Sequence, residues 1–513
     1  MQSSKTPSFE DEKVSQHDDA AKAQAYVGHV TSKAYVGDEN AKAQALSADA
    51  ASVTDEELKR VLRKIDIVLM PLMSVAVLLQ FLDKTSLNYA NLLGIKSDTN
   101  LRGQEYSWLG SFFYVGYLAA TPIHGFFLQK ANLSLYAGLN IILWGIVLGA
   151  HAACNNYSQL VAVRFFLGFF EASLTPAFIL LTGRFYRPQE QVTRTSIWFA
   201  NNGWAQILGG GICYGLLVQK PGKLETWREM FLILGGIAIA FGLVCIAFMP
   251  SSPATIRFLN ERERQVAVYR IRANKAGIHD TKWKWSQMWE AIKDVRLYLF
   301  FLGVCTANIA NGGVSNFGSQ IIKQFGYDSK TTALLGMAPG LMEVVAIYFG
   351  AYLSYATRSR VIPGTLMYLI AVAGGAMMIG IPAQHKAWRM FAYTIVFAYP
   401  CASPYFYSFL GSSVSGTTKR IVFNVLMQLG YSTGNMIGPQ TYQSKDAPDY
   451  VPAKITLIAM FAAAAACLAA ISGMHYVWNR KNAAMLDSPD IGDDAEDLTD
   501  LTDKERKNFR YPY

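Results

Sequence analysis

The sequence predicts an all-α membrane protein with twelve transmembrane helices arranged in two six-helix bundles. Three observations lead to this fold class. Of the 513 residues, 52% are hydrophobic and only 16% are charged, whereas a soluble protein carries about 25% charged residues. Apolar runs long enough to cross a bilayer recur along most of the chain. A long polar break at 250–296 divides these runs six and six.

The apolar runs define the spans and the domain boundaries. The predicted spans are 66–88, 106–128, 133–153, 158–182, 193–218, 229–249, 297–321, 332–355, 361–382, 388–411, 421–442 and 454–478. The predicted segments are a disordered tail 1–53, a first bundle 54–249, a central loop 250–296, a second bundle 297–478 and an acidic tail 479–513. Six spans on each side of one loop is the layout of a two-domain transporter that rocks around a central site.

Capping signals mark helices outside the spans. Thr54 and Glu57 form a capping box ahead of residues with one apolar and one basic face, which predicts a helix lying along the membrane surface before the first span. Asn260 and Glu263 form a second capping box in the central loop, for a helix that should end near Gly277. The first 53 residues are polar and repetitive, with too little apolar surface to fold.

The distribution of Lys and Arg predicts the orientation. They concentrate at 59–64 and in the central loop, which favours cytoplasmic N- and C-termini. The net charge of +9 therefore reflects membrane topology, and the partner to expect is the lipid bilayer and not a nucleic acid.

None of the six cysteines belongs to a CxxC pair, so we expect them to serve as small packing residues and not as metal ligands.

Two opposite charges interrupt the first span. Asp83 and Lys84 lie about 9 Å of helix inside its far end, at about 1.5 Å per residue. A charge within hydrocarbon is costly, so its default interpretation is functional, as a proton relay or as a counter-ion for a substrate. For Lys84 two roles stay open: contact with an anionic substrate, or neutralisation of Asp83 alone.

The fourth span carries a second acid–base pair. Arg164 and Glu171 are seven residues apart, hence two turns apart on one helix face. We expect Asp83 to face Arg164, with Glu171 deeper in the membrane. Two intramembrane carboxylates favour proton coupling, because a desolvated carboxylate can take up a proton near neutral pH. The alternative is a purely structural ion-pair lock between helices.

The second bundle offers mainly neutral polar groups. Glu343 in the eighth span is either a third coupling group or a satisfied interior residue. The other candidates are neutral, and each is either a substrate ligand or an interhelical hydrogen-bonding group. They are Asn308 and Asn311 in the seventh span, Tyr405 in the tenth, and Asn424 and Gln428 in the eleventh. Glycines crowd the fifth and eleventh spans, which predicts close helix contacts between the two bundles; the alternative is ordinary tight helix packing.

Motifs of other function classes are not found. The sequence contains no GxxxxGK[ST], no HExxH and no catalytic triad in a soluble domain, so neither an ATPase nor another enzyme is expected. No cofactor is implied.

Several segments together resemble the major facilitator superfamily, in its anion:cation symporter branch, and most closely the fungal allantoate permease family. The resemblance covers roughly 55–480. It is carried by FLDKTSLNYANLLGI (81–95), VRFFLGFFEA (163–172), RFYRPQEQVTRTSIWFANNG (184–203), KWKWSQMWEAIKD (282–294), SGTTKR (415–420) and LGYSTGNMIGPQTYQSKDAPDY (429–450). The loop after the second span, Gly125 to Lys130, lacks the acidic residue of the superfamily signature.

This resemblance implies a proton-coupled symporter of a small organic anion. Asp83 and Glu171 would carry protons, while Lys84 and Arg164 would serve substrate binding and coupling. Substrates in the family include allantoate, ureidosuccinate, nicotinate and pantothenate. We expect a monomer in the plasma membrane. The alternatives are a metabolite exporter or facilitator of the same fold and, more remotely, a nutrient sensor that has lost transport.

Overall fold

The structure, a computed structural model, describes residues 53–219, 222–271, 283–447, 449–481, 500–506 and 509–512. The predicted N-terminal tail, apart from residue 53, lies outside these residues, as does the acidic run 487–497. Every predicted span coincides with a helix or with two consecutive helices. Eight of them are long and apolar enough to cross a membrane by length and composition alone. The others are broken or more polar.

The helices of the first bundle begin and end close to the predicted limits. They are Asp55–Leu92 (first span), Glu105–Lys130 (second), Leu133–Ala150 (third), Tyr157–Glu171 with Leu174–Phe185 (fourth), Pro188–Phe199 with Asn201–Val218 (fifth) and Thr226–Phe248 (sixth). Short helices at Ile95–Asp98 and His151–Ala153 follow the first and third spans.

The second bundle repeats this arrangement. Its helices are Val295–Gln324 (seventh span), Ser329–Leu335 with Met337–Thr357 (eighth), Val361–Gly380 (ninth), Lys386–Val396 with Ser403–Ser413 (tenth), Thr417–Ile437 (eleventh) and Val451–Lys481 (twelfth). The tenth span is interrupted by the single turn Tyr399–Cys401, and turns at Gly438–Thr441 and Ser444–Asp446 follow the eleventh.

The first helix corrects one prediction. The capping box is present, since the Glu57 amide donates to Thr54 Oγ1 at 3.3 Å and the Thr54 amide donates to Glu57 Oε2 at 3.1 Å. The predicted surface helix, however, is not separate, because one helix of 38 residues runs from Asp55 to Leu92. Pro71 lies inside it. Neighbouring helices let a membrane helix tolerate an internal proline.

In the described part of the central loop, two α-helices are each bound to one bundle. Glu261–Ile271 begins with the predicted capping box, and its Glu263 pairs with Lys64 of the first span at 2.6 Å. Its predicted end near Gly277 lies outside the described residues. The second helix, Trp285–Ile292, packs on the other bundle, where Gln287 Oε1 accepts from the Thr418 amide at 3.0 Å. We call this end of the molecule the central-loop face.

Hydrogen bonds join the two bundles at the opposite face. Asn88 at the end of the first span accepts through Oδ1 from the Ser319 amide of the seventh at 2.8 Å. The Tyr106 hydroxyl of the second span donates to the Asn316 carbonyl of the seventh at 2.8 Å. Only neutral groups take part in these two bonds.

The glycines of the fifth span and those of the eleventh span differ in the contacts that they make. Gly203 of the fifth span approaches Gly340 of the eighth so closely that a Cβ on Gly203 would lie 2.6 Å from the Gly340 carbonyl oxygen. This contact joins the two bundles, as predicted. In the eleventh span, Gly430 and Gly434 instead face the seventh span of their own bundle. These two glycines therefore serve close packing within one bundle, which is the alternative that the sequence left open.

Residues that follow the acidic run pack against the second bundle. Asp503 is fully buried at the central-loop face, where it pairs with Arg296 at 2.6 Å and with Lys419 at 2.7 Å. Asp294 pairs with Arg296 at 2.6 Å, and Glu290 pairs with Lys419 at 2.7 Å. We call these five residues the loop-face charge cluster. The end of the chain is therefore part of the second bundle's fold.

Candidate functional site

Asp83 is turned into the first bundle. Its side chain is 1% exposed. One carboxylate oxygen accepts a hydrogen bond from the indole nitrogen of Trp144 in the third span. The other accepts from Ser86 Oγ, one turn along the same helix, at 3.3 Å. Asp83 is thus held between two spans, out of contact with lipid.

Arg164 lies near Asp83 without a close ion pair. The two side chains interact through their charges, and the Arg164 guanidinium lies 5.7 Å from the centre of the Phe231 ring. Its Nε and Nη2 atoms are buried and have no hydrogen-bond partner among the described residues. Asp83 and Arg164 therefore attract each other, as expected, but over a longer distance than in a direct ion pair. The N–H groups on Arg164 Nε and Nη2 can therefore donate hydrogen bonds to an anion that enters the site.

Lys84 points away from its neighbour Asp83, because consecutive residues on a helix are about 100° apart at 3.6 residues per turn. Its ammonium lies 5.5 Å from the ring centre of Phe81 and 5.9 Å from those of Tyr114 and Tyr431. Tyr431 belongs to the second bundle, so Lys84 lies at the interface between the bundles. Its side chain is only partly buried.

Two carboxylates from different bundles lie within electrostatic range of Lys84. One is Glu171 of the fourth span and the other is Glu343 of the eighth. Glu171 Oε2 and both carboxylate oxygens of Glu343 are buried and find no hydrogen-bond partner in the described part of the chain. Glu343 is therefore not the satisfied interior residue that one interpretation of the sequence allowed. We call Asp83, Lys84, Arg164, Glu171 and Glu343 the interior charge group.

Tyrosines surround this group. Tyr117 and Tyr431 approach each other across the bundle interface, with ring centres 6.1 Å apart. Gln428, a predicted substrate ligand, lies within hydrogen-bonding reach of Tyr117. Tyr407 of the tenth span lies within electrostatic range of both Tyr117 and Tyr431. Gln428 and the tyrosines thus line the same interface as Lys84.

The seventh-span asparagines form an interhelical network. Asn435 Nδ2 donates to Asn308 Oδ1 at 2.9 Å, and Asn311 Nδ2 donates to Asn435 Oδ1 at 3.0 Å. The Tyr399 hydroxyl donates to Asn311 Oδ1 at 2.5 Å. In this conformation the amide groups of Asn308 and Asn311 join the seventh, tenth and eleventh spans to one another.

The remaining two candidates have other neighbours. Tyr405 packs against Gly350 of the eighth span and Gly364 of the ninth, within the second bundle. Asn424 is exposed and donates from Nδ2 to the Arg420 carbonyl of its own helix at 2.9 Å. Neither set of contacts includes Lys84.

Sequence reasoning missed several residues of the site. Trp144, Tyr114 and Tyr117 were not among the candidates. A signal was available for Trp144, because tryptophan in a membrane protein favours the interface with water, and this one lies in the middle of a span. Tyr114 and Tyr117 are three residues apart and so share one helix face, but nothing in the sequence indicated that this face meets the second bundle.

The fold and the buried, incompletely paired charges define a multi-pass membrane transporter built of two six-helix halves. Residues 73–439 match the sequence pattern of the Major Facilitator Superfamily. The chain belongs to this superfamily, and the predicted family and fold class are confirmed. It is accordingly a transporter and not an enzyme.

The curated relatives are fungal transporters. The chain is 36% identical to a Schizosaccharomyces pombe protein named as an uncharacterized transporter, over 93% of this chain and 91% of that protein. It is 32% identical to the allantoate permease of Saccharomyces cerevisiae, again over 93% and 91%. A thiamine pathway transporter from the same yeast is 32% identical over 88% of this chain and 86% of its own length.

Solved structures of low sequence identity share the fold. A bacterial homolog of the human lysosomal transporter Spinster, in an inward-facing and unoccupied conformation, has a TM-score of 0.60 and 15% identity, covering 81% of this chain and 97% of its own. The xylose transporter XylE from E. coli, in a partially occluded inward-open conformation, has a TM-score of 0.59 and 12% identity, covering 78% and 97%.

Proposed function

We propose that the protein is a proton-coupled symporter that imports a small organic anion by alternating access. The substrate class is a carboxylate such as allantoate, ureidosuccinate, nicotinate or pantothenate. A relative named allantoate permease supports this class. The membrane is the plasma membrane, the central-loop face is cytoplasmic, and the protein acts as a monomer. In this orientation the face at which hydrogen bonds join the two bundles is the outer one.

The observation that carries the proposal is the position of the Lys84 ammonium and its lack of a close partner. Its ammonium stands at the interface between the bundles, ringed by aromatic side chains. Within the described residues it has no hydrogen bond and no ion pair closer than 4 Å. A cation on a flexible stem in such a position can pair with a carboxylate that enters between the bundles.

Proton coupling follows from the charge that competes for Lys84. When Glu171 is ionised, its charge attracts the ammonium and weakens its hold on the substrate. When Glu171 is protonated, that competition ends and Lys84 binds the anion. Asp83 acts in parallel on Arg164, whose guanidinium it attracts. Rocking of the bundles then exposes proton and anion together to the other side.

Uptake measurements test the proposal. The intact protein is expressed in cells lacking endogenous permeases, and uptake of radiolabelled allantoate, ureidosuccinate, nicotinate and pantothenate is measured at several external pH values. Uptake should rise as the external pH falls, and Glu171→Gln should remove this dependence. Glu261→Gln, which changes an exposed carboxylate of the central loop, is the matched control. Uptake unaffected by pH and by Glu171→Gln would exclude proton symport, and efflux without uptake would identify an exporter.

A further inference from the structure

Glu343 is the member of the interior charge group that the proposed symport cycle leaves without a role. Its side chain is 1% exposed, and neither carboxylate oxygen finds a hydrogen-bond partner among the described residues. Burying an ionised carboxylate without a partner is very unfavourable. The charged group that faces it is Lys84 of the first span. The titratable groups that face it from the tenth span are Tyr399 and Cys401.

The position of Glu343 makes its attraction to Lys84 depend on conformation. Lys84 and Glu171 belong to the first bundle, whereas Glu343 belongs to the second. One turn before Glu343, Gly340 packs directly on Gly203 of the first bundle. When the bundles rotate about such a contact, Glu343 moves relative to Lys84, but Glu171 does not. Of the two carboxylates within electrostatic range of Lys84, Glu343 is therefore the one whose distance from Lys84 depends on the arrangement of the bundles.

We propose that Glu343 is an internal substitute for the substrate carboxylate: it closes on Lys84 as the bundles move with no anion bound, and it leaves Lys84 when the anion binds. This role rests on the proposed function, since it assumes that Lys84 holds the substrate. A symporter has to return empty to its starting side, and an unpaired ammonium at the bundle interface would oppose that return. Glu343 is thus a positioning residue, which acts through Lys84 and does not contact the substrate.

The proposal makes an unusual prediction for binding. Removing a competitor for Lys84 should tighten the binding of the substrate, whereas loss of a merely structural residue should weaken it or leave it unchanged. For Glu343→Gln we expect roughly tenfold tighter binding of allantoate by the purified protein, which corresponds to about 1.4 kcal/mol. In vesicles, net uptake should fall, while exchange of internal for external allantoate should persist because both half-cycles then run with substrate bound.

A second measurement requires no substrate. Arg102 and Lys445 are exposed at the opposite face, one on each bundle, next to the hydrogen bond between Ser444 and the Gly103 carbonyl. Spin labels on Arg102→Cys and Lys445→Cys report the separation of the bundles by pulsed electron resonance. Without substrate, Glu343→Gln should shift the distribution toward longer distances, because an attraction that holds the bundles together is lost.

The outcomes separate this proposal from the proposed function. An unchanged distance distribution in Glu343→Gln, or binding that is weaker or unaltered, would overturn the role of Glu343 even where wild-type uptake depends on pH. If wild-type uptake is independent of pH but the distances shift, the pairing of Glu343 with Lys84 stands and proton symport fails. Glu261→Gln serves again as the control and should change neither measurement.

Discussion

The two groups of buried charges in this protein are built on opposite principles. In the loop-face charge cluster, Arg296 pairs with Asp294 and Asp503, and Lys419 pairs with Asp503 and Glu290, all at 2.6 to 2.7 Å. In the interior charge group, by contrast, Arg164, Glu171 and Glu343 retain buried polar atoms without hydrogen-bond partners in the described part of the chain.

This difference distinguishes a structural from a transporting role. A buried charge whose partners are all supplied by the protein stabilises one arrangement, and removing a partner destabilises that arrangement. A buried charge with unused bonding capacity can receive a proton or an ion that comes and goes. The predictions below test whether the two groups respond to substitution in these two different ways.

The largest effect is expected at Lys84. Lys84→Ala should abolish measurable binding of the transported anion, because truncating one partner of a desolvated charge pair costs about 2–5 kcal/mol. Equilibrium binding to the purified protein measures this. Lys84→Arg keeps the charge and should retain part of the affinity, and thermal unfolding of both variants should resemble that of the wild type. Full affinity in Lys84→Ala would show that the anion is held elsewhere.

Arg296→Ala should produce the reverse pattern. Removing one partner of a buried ion pair destabilises a protein by about 3–5 kcal/mol, so the midpoint of unfolding in detergent should fall substantially while folded molecules keep their affinity. Lys504→Ala is the control within the same region, since Lys504 is 44% exposed and lies 3.8 Å from Asp294. Exposed pairs contribute about 0–1 kcal/mol. Equal destabilisation by both changes would contradict the comparison.

Asp83→Asn tests the division of labour between neighbours. Asparagine has nearly the same shape and can still accept from Trp144, so we expect binding of the anion to be spared and concentrative uptake to be lost. Binding to the purified protein and accumulation in vesicles under a pH gradient measure the two properties separately. If Asp83→Asn and Lys84→Ala lose binding alike, the two residues form a single structural unit.

The smallest effect concerns acid stability of the loop-face charge cluster. Burial alone would raise the pKa of Asp294, but hydrogen bonds from Arg296 and the charge of Lys419 lower it from 3.8 to about 2. The pKa of Asp503 is lowered in the same way. A lowered pKa in the folded state means that the stabilisation is complete above about pH 4 and is lost as the pH falls toward 2.

The measurement is the unfolding temperature of the detergent-solubilised protein between pH 5 and 2. Wild-type protein should lose more stability over this interval than Asp503→Asn, which has already lost one of the titrating carboxylates. Identical pH dependence in the two proteins would show that Asp503 does not contribute its charge to the cluster.

The sequence was sufficient for the spans because the bilayer imposes a length and a hydrophobicity on each of them. It also predicted both capping boxes, whose partners are three residues apart. The surface helix was mispredicted because no helix-breaking residue separates it from the first span. Sequence patterns predict interactions between residues that are close along the chain, and the capping boxes are of this kind.

The sequence could not supply the partners that are distant along the chain. Tyr405 and Tyr407 are two residues apart, hence about 200° apart on a helix, and only the structure shows that Tyr407 lies within electrostatic range of Tyr431. Likewise, nothing local indicated that Gly434 faces the seventh span. The interior charges themselves were identified because their cost in hydrocarbon is a property of a single residue. Which partner each of them meets depends on how the two bundles pack.

The burial of Asp503 also bears on how the protein is made. Asp503 follows Arg296 by 207 positions and Lys419 by 84. Since ribosomes build the chain from its N-terminus, both cations reach the membrane surface before this partner has been synthesised. Assembly of the second bundle thus ends with the arrival of the C-terminal segment. A chain that ends before Asp503 lacks one partner each for Arg296 and Lys419. Such a truncated chain therefore differs from the full-length protein in having two incompletely paired cations.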